Sequence, residues 1–491
     1  MHVVEGGDYG YQFRYGRSGR HPFQAWNGEL PGTLPMMSGT GEAPCKILSY
    51  ESDGLPPESL GSLLVAAWAD HRVERYVPQP RGSSFTAERK PFLEGGRDFR
   101  PVGIALAPDG SLFVSDWVLR DYNLHGRGAV WHVKRKDAKT PRRPDLPREA
   151  LFSIHRPARE AAARTLAADN EGRAFLRQQL ASKDVRVRAA SLAALLDSKD
   201  AKTDVRSLAQ NDPDMGIRTM AVRALGVRGE DLTSFLDKGS PAALRPEAVR
   251  SVHGKDSVAR LAPLLTDTDP ILRTAAIQQF ARSPDLSQAV QQRSASDASQ
   301  RIGLLLACQA LERAEAIRFV PDFLADSDPE VRFMAAKWVS DQKLTQFRPL
   351  LAEALKDSKL DARLYLAYST ALARIDNREV NESSMADYFF ARLADPSSSP
   401  AARKMALQMV PPTYPKLTLD LLGKLLHGPD PDVRLEAVRT LGEHPGPDRF
   451  RLLLETARND KLAVAVRAQA LTGLSERAPQ LIDELLAFAG G

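Results

Sequence analysis

One pattern recurs through the last two-thirds of the chain. An aspartate, often followed by proline, precedes a branched apolar residue and an arginine at the head of an alanine-rich run. It reads Asp184-Val-Arg-Val-Arg188-Ala-Ala, Asp212-Pro-Asp-Met-Gly-Ile-Arg218, Asp269-Pro-Ile-Leu-Arg273-Thr-Ala-Ala, Asp328-Pro-Glu-Val-Arg332-Phe-Met-Ala-Ala and Asp430-Pro-Asp-Val-Arg434-Leu-Glu-Ala. Weaker copies carry Arg159, Arg245, Arg301, Arg363, Arg403 and Arg467. Successive arginines fall 27 to 33 residues apart, except for the 40 between Arg363 and Arg403. There, Asp376-Asn-Arg-Glu-Val-Asn-Glu-Ser-Ser384 predicts an extended loop. Each unit has room for two short helices and their turns. Aspartate before proline caps a helix, and proline is tolerated in the first turn. The apolar stripe then continues at helical spacing, as in Val331, Met334, Ala335 and Trp338. One hairpin cannot bury that stripe alone, so the repeats must stack into an α-solenoid. We read Arg188, Arg218, Arg273, Arg332 and Arg434 as a ladder, each reaching the turn aspartate of the next repeat, with Asp328 and Asp430 among the anchors. A row of arginines facing phosphates or a partner is the alternative.

The first part repeats with a different period. Gly61-Ser-Leu-Leu-Val-Ala-Ala-Trp68 echoes Gly110-Ser-Leu-Phe-Val-Ser-Asp-Trp117, an offset of 49 residues. A second strand follows each copy, at Arg72-Val-Glu-Arg-Tyr76 and Gly128-Ala-Val-Trp-His-Val133, and Pro108-Asp-Gly110 is a strong turn signal. A four-stranded unit recurring every ~40–50 residues predicts β-propeller blades. Residues 1–136 hold two to three of them, too few to close a propeller. The expected class is therefore α+β and multidomain. A partial propeller spans 1–136, a proline-rich linker 137–147, and a solenoid of about 11 repeats 148–491.

The totals exclude several functions. Of 491 residues, 67 are basic and 62 acidic, a net charge of +5 with no long block of one sign, so we expect no nucleic-acid partner. Cys45 and Cys308 form no CxxC or CxxCH, which removes thiolate metal sites and covalent haem. There is no apolar run of 18 residues, hence no expected membrane span. The first residues show no basic region followed by an apolar one, so we expect no signal peptide there. Gly6, Gly7 and Gly10 are followed by aromatics rather than a helix, which excludes a dinucleotide fingerprint. Residues 148–491 assemble no nucleophile with a base.

The repeats resemble HEAT repeats of the short kind, an architecture that serves many partners. The first part is similar to soluble glucose/sorbosone dehydrogenase propellers. Glu5-Gly-Gly-Asp-Tyr-Gly10 resembles that family's Gly-x-Asn-Tyr-Gly-Trp segment, and Ala43-Pro-Cys45 stands where the family has Ala-Pro-Ser-Gly. Gly54-Leu-Pro-Pro-Glu58 with Leu63-Leu-Val65 is similar to its Phe-Pro strand entry. Asp98-Phe-Arg-Pro-Val102 ahead of Ala107-Pro-Asp-Gly110 is similar to its Arg-x-Arg-Asp-Val and Gly-Pro-Asp-Gly stretch. Ser115-Asp-Trp117 with Asp121-Tyr-Asn-Leu-His-Gly-Arg127-Gly resembles a planctomycete and verrucomicrobial subgroup, of the membrane-bound-dehydrogenase type, in which HEAT repeats follow the propeller.

The resemblance implies a quinoprotein, with pyrroloquinoline quinone (PQQ), calcium and a catalytic histidine. Arg100 stands at the second arginine of the family's quinone-contacting pair, and Asp98 at the first. His71 and His125 each follow a tryptophan near a strand end and are the other cofactor-binding candidates, with strand-end capping as the structural alternative. Asp70 and Asp116 read as turn-holding residues. The calcium motif and catalytic histidine are expected in blades upstream of Met1, so we expect no catalytic residue, metal or cofactor on this chain itself. The expected function is a protein-binding scaffold attached to an incomplete dehydrogenase-like propeller. The alternative is a fragment of a PQQ-dependent sugar or alcohol dehydrogenase. Localisation stays open, because the resemblance implies export.

Overall fold

The computed structural model describes residues 4–10, 21–137, 141–253, 257–293, 296–311, 314–357, 360–395 and 398–475. The chain is a mixed α and β protein, with two small antiparallel sheets that do not close into a barrel and a long region of helical repeats. It divides into two compact units. One holds Met1–Tyr9 and Gly32–Ala289, the other Gly10–Pro31 and Val290–Gly491.

Both sheets lie in the first unit. The first has four strands in chain order, β1 (Pro44–Ser49), β2 (Leu63–Ala67), β3 (Arg72–Arg81) and β4 (Ser84–Glu94). The second has three, β5 (Pro101–Leu106), β6 (Leu112–Asp116) and β7 (Ala129–Val133). The 49-residue echo falls on β2 and β6, and each pairs antiparallel with the strand before and after it. Alternation along the strands sends Leu64, Ala66, Val73, Ile104, Leu112 and Val114 into one shared core with Tyr50 and Phe99. The Tyr50 hydroxyl stitches the sheets from inside this core. It donates to Gly110 O and accepts from the Leu55 amide, both at 2.8 Å.

The same unit continues into helices α1 (Arg156–Ala167), α2 (Asn170–Gln179), α3 (Val185–Asp197), α4 (Val205–Asn211), α5 (Met215–Val227) and α6 (Pro270–Ala281), with shorter turns between. α1 packs on α3 and α3 on α5, which builds the row that one hairpin cannot bury alone. Polar contacts join the β part of this unit to the segments that follow it. Arg143 donates to Asp53 Oδ1 (2.7 Å) and Pro108 O (2.9 Å). His155 Nδ1 lies 3.0 Å from Ser52 Oγ, and Arg159 donates to Glu51 Oε2 at 2.5 Å. At the tip of the β3–β4 hairpin, the Ser83 amide and hydroxyl donate to Asp269, at 2.6 and 2.9 Å. Gly82 makes this turn at φ +57°, and a Cβ there would sit 2.5 Å from Asp269 Oδ2.

The second unit carries α7 (Ala298–Leu311), α8 (Pro329–Asp341), α9 (Ala362–Ile375), α10 (Glu382–Ala394), α11 (Pro400–Met409), α12 (Leu419–Leu426), α13 (Pro431–Glu443), α14 (Arg449–Arg458) and α15 (Val464–Gly473). Here too the helices stack in rows: α7 on α8, α8 on α9, α11 on α13, α13 on α15. Val331, Met334, Ala335 and Trp338 on α8 are all buried. Phe23, fully buried, meets Phe333 edge-on at 5.5 Å.

Aspartate caps most of these helices, and each accepts a backbone N–H of its own first turn. They include Asp184, Asp269, Asp328, Asp361 and Asp430. Two local expectations change. The cap of α5 is Asp214 rather than Asp212, because Asp214 stands four residues before Arg218, the spacing shared by the other copies. The segment 376–384 is not an extended loop. Asn381 and Ser384 form a reciprocal capping box that starts α10 at Glu382. The 40-residue interval is filled by two longer helices, α9 and α10, of 14 and 13 residues.

Candidate functional site

The recurrent arginine sits in the first turn of its helix, where two sets of acceptors are within reach. Arg188 makes a two-pronged bond to Asp212, Nε to Oδ2 at 3.0 Å and Nη2 to Oδ1 at 3.1 Å, with both side chains buried. Arg301 does the same with Asp326 (2.8 and 2.9 Å), and Arg245 meets Asp267 at 3.3 Å. The receiving residue is the first aspartate of an Asp-x-Asp turn, and it also accepts the amide of the second: Asp214, Asp269 and Asp328 donate to Asp212, Asp267 and Asp326. The second aspartate caps the helix. Asp328 and Asp430 are therefore caps. Arg218, Arg273, Arg332 and Arg434 bond back to the carbonyls of Ala209, Asp267, Asp326 and Pro429. The carbonyls at the turn entrance are thus part of what the arginines hold.

A groove of about 540 Å³ opens in the first unit beside this series. Its floor is Ala163 of α1 with Ala189, Ala190, Ala193 and Ala194 of α3, small residues one helical turn apart that leave space between helix and solvent. Leu60 and Gly61 close it from the strand side. Charges of both signs ring it. Glu51 receives Arg156 (3.5 Å) and Arg159 (2.5 Å), and Arg186 pairs with Asp184 at 2.7 Å. The hydrogen bond from Arg186 holds the Asp184 carboxyl below its ordinary value. Arg164 stands exposed on the rim. In the second unit, a cavity of about 420 Å³ is lined by Arg378, Glu379, Asp387, Tyr388, Arg392 and Asp395.

The three cofactor candidates gather at one end of the two sheets. Arg100 is 5% exposed. Its Nη1 donates to Trp68 O (3.1 Å) and Ala69 O (3.0 Å), and its guanidinium lies 4.9 Å from the Trp68 ring centroid. His71 turns the chain at φ +58° and holds Phe99 O by Nδ1 at 3.2 Å. His125 sets its ring edge-on to Trp117 at 4.9 Å and accepts the Arg127 amide. Asp116 ties the ends together by accepting from the amides of Arg100 (2.6 Å) and Val118 (2.8 Å) and from Trp131 Nε1 (2.8 Å). Nη1 of Arg100 thus serves two backbone carbonyls, and its side chain is buried beside Trp68. Among the described residues, no group of three or more His, Cys, Asp or Glu could hold a metal ion.

Sequence reasoning missed Glu74, 1% exposed, whose carboxylate accepts from Tyr76 Oη (2.5 Å), Arg72 Nε (2.9 Å) and the Gly41 amide (3.2 Å). Burial pushes its pKa up, but these donors outweigh burial and leave it lowered. The only signal was a carboxylate in a strand between two arginines, which reads equally as a solvated face. The stacking of Trp68 on Tyr122, 5.5 Å apart and 19° from parallel, was equally silent.

Residues 386–475 match the HEAT repeats family. No curated protein matches the chain. Among solved structures, importin beta is similar at 14% identity and TM-score 0.33, over 70% of this chain and 62% of that one. Kap121p bound to Ste12p gives 14%, TM-score 0.30, 70% and 46%. A chain of the Pds5–Scc1 complex gives 16%, TM-score 0.26, 64% and 59%. This chain thus spans less than two-thirds of each of these three. Such values assign it no activity. Among the described residues, no helix is long and apolar enough to cross a membrane.

Proposed function

We propose that this chain is a protein-binding HEAT-like scaffold, and that the alanine-floored groove on α1 and α3 is a seat for a partner. The observation that carries this is the groove itself: small apolar side chains along two stacked helices, ringed by paired charges of both signs. A surface of that kind suits an extended or helical peptide segment. The test is photo-cross-linking from position 193 in the full chain, followed by mass spectrometry of the attached peptide. One protein cross-linked reproducibly, and lost from an Ala193→Trp chain with unchanged thermal stability, is the expected result. Scattered adducts that ignore Ala193→Trp overturn it. The near-balance of charge argues against nucleic acid as that partner.

A second reading keeps the dehydrogenase resemblance. It makes residues 1–136 two to three blades of a quinoprotein-type propeller, and the chain a fragment of a PQQ-dependent sugar or alcohol dehydrogenase. It is favoured by one observation, the coincidence of the 49-residue echo with β2 and β6 in sheets of the same strand order. PQQ and calcium belong to that reading alone. Added to this chain with an alcohol or aldose and an electron-accepting dye, they are expected to give no dye reduction, because Arg100 is engaged by the backbone. Quinone-dependent reduction would establish the dehydrogenase reading.

A further inference from the structure

The two sheets differ in one respect. In the first, the outer edge of β3 is covered by β4. In the second, the chain order stops at β7, and among the described residues no strand pairs with its outer edge. The chain turns away at once, with the Arg135 amide donating to Gly54 O at 3.4 Å.

A free edge normally carries protection against pairing. β4, the outer strand of the first sheet, has Glu88, Arg89, Lys90 and Pro91 in its middle, facing a register shift between Val73 and Glu74. β7 has none of these. It reads Ala129-Val-Trp-His-Val133, β-branched and aromatic, without proline, charge or bulge. Its side chains are unusually open, with Val130 68% and Trp131 50% exposed. Phe113, opposite His132 on β6, stacks on that ring at 4.7 Å and is itself 43% exposed.

The flanks are mainly basic, with Asp137 the first acid beyond them. Arg127 precedes the strand, and Lys134, Arg135 and Lys136 follow it, with Lys134 and Lys136 exposed. Arg135 is paired with Asp137 at 2.9 Å. Antiparallel pairing of two β7 strands from two copies would set Arg127 of one against Lys134 and Lys136 of the other, which disfavours self-association. An incoming strand with acidic ends meets opposite charge at both ends. We infer that β7 is a strand-addition site that takes an extended, acid-flanked segment of a partner protein as the fourth strand of the second sheet. Main-chain bonds along Ala129–Val133 would supply the affinity, and the basic flanks the selection. This surface is separate from the groove on α1 and α3, and either can fail alone.

The probe is a fluorescein-labelled decapeptide that alternates threonine and valine between paired glutamates. Anisotropy on the full chain is expected to show saturable binding, on the order of tens of micromolar for so short a strand. Hydrogen exchange is expected to slow at alternate amides of residues 129–133. The double variant Lys134→Glu with Lys136→Glu, both exposed and away from the core, should weaken binding about tenfold. The same peptide N-methylated at alternate residues should not bind. Equal binding of the N-methylated peptide, or of a lysine-flanked one, overturns the proposal. So do tighter binding of oligothymidylate, dimerisation of the chain without peptide, and absence of saturable binding up to millimolar peptide.

Discussion

Arg188 shows how far a single residue could be read in advance. Its place in a repeating series was visible, and so was its reach toward an aspartate. Asp212, the turn aspartate of the next repeat, lies 24 residues on, and the same guanidinium also donates from Nη1 to Ser182 O at 2.8 Å. The buried pair gives a sharp prediction. Arg188→Ala strands a carboxylate in the interior and should cost about 3–5 kcal/mol in chemical unfolding, whereas the double change to Met and Leu should cost much less. Gly82 is the second residue of this kind. Gly82→Ala places a β-carbon against Asp269 in a left-handed turn and should cost at least about 1 kcal/mol, measured the same way. Arg100 was visible as a candidate. Residue type announced a cation near a strand end, and only packing revealed that it faces Trp68 O and Ala69 O.

At the scale of elements, the strands and helices were legible because their signals are short-range. Caps, stripes and turns act within one or two turns of chain. The helix at Glu382–Ala394 was missed because its start signal, Asn381 with Ser384, sits in a polar run that reads as loop composition. Asp269 works at this scale in two ways. It caps α6 through the amides of Ile271 (2.9 Å) and Leu272 (3.3 Å), and it also receives the β3–β4 tip, 186 residues away in sequence. Asp269→Ala should therefore cost more than the ~1 kcal/mol of an ordinary cap. Hydrogen exchange should quicken both in Pro270–Ala281 and in Ser84–Glu94, and faster exchange confined to the helix would disprove the double role.

At the scale of the molecule, acid is expected to unfold the chain in two stages. The histidines act first. Burial, then Arg374 and Lys337, lower His21 to about 4, and burial with Arg143 lowers His155. Both are held neutral in the fold and protonate in the unfolded chain near 6.5, so stability is lost as pH falls below that value. The carboxylates act second. The bond from Arg348 lowers Asp376, and Arg186 lowers Asp184; burial raises Asp200 and Glu247, but the Thr203 hydroxyl with Arg177 outweighs it in the first and Arg223 with Arg250 in the second. A lowered folded pKa supplies stability above the unfolded value and loses it as pH falls, here from about 4 downward. Thermal melts from pH 7 to 3 should show both stages, and His21→Gln should flatten the first.

The sequence by itself determined that this chain forms stacked helical hairpins and short paired strands, because periodicity and capping are written within a few residues of each other. Only the tertiary structure decided which arginines meet an aspartate and which a carbonyl, that Asp269 receives a distant hairpin, that alanines on α1 and α3 floor one groove, and that, among the described residues, no strand pairs with the outer edge of β7. Each of those depends on surfaces brought together from tens to hundreds of residues apart, where a small rotation or a missing strand changes the partner and leaves the local pattern intact.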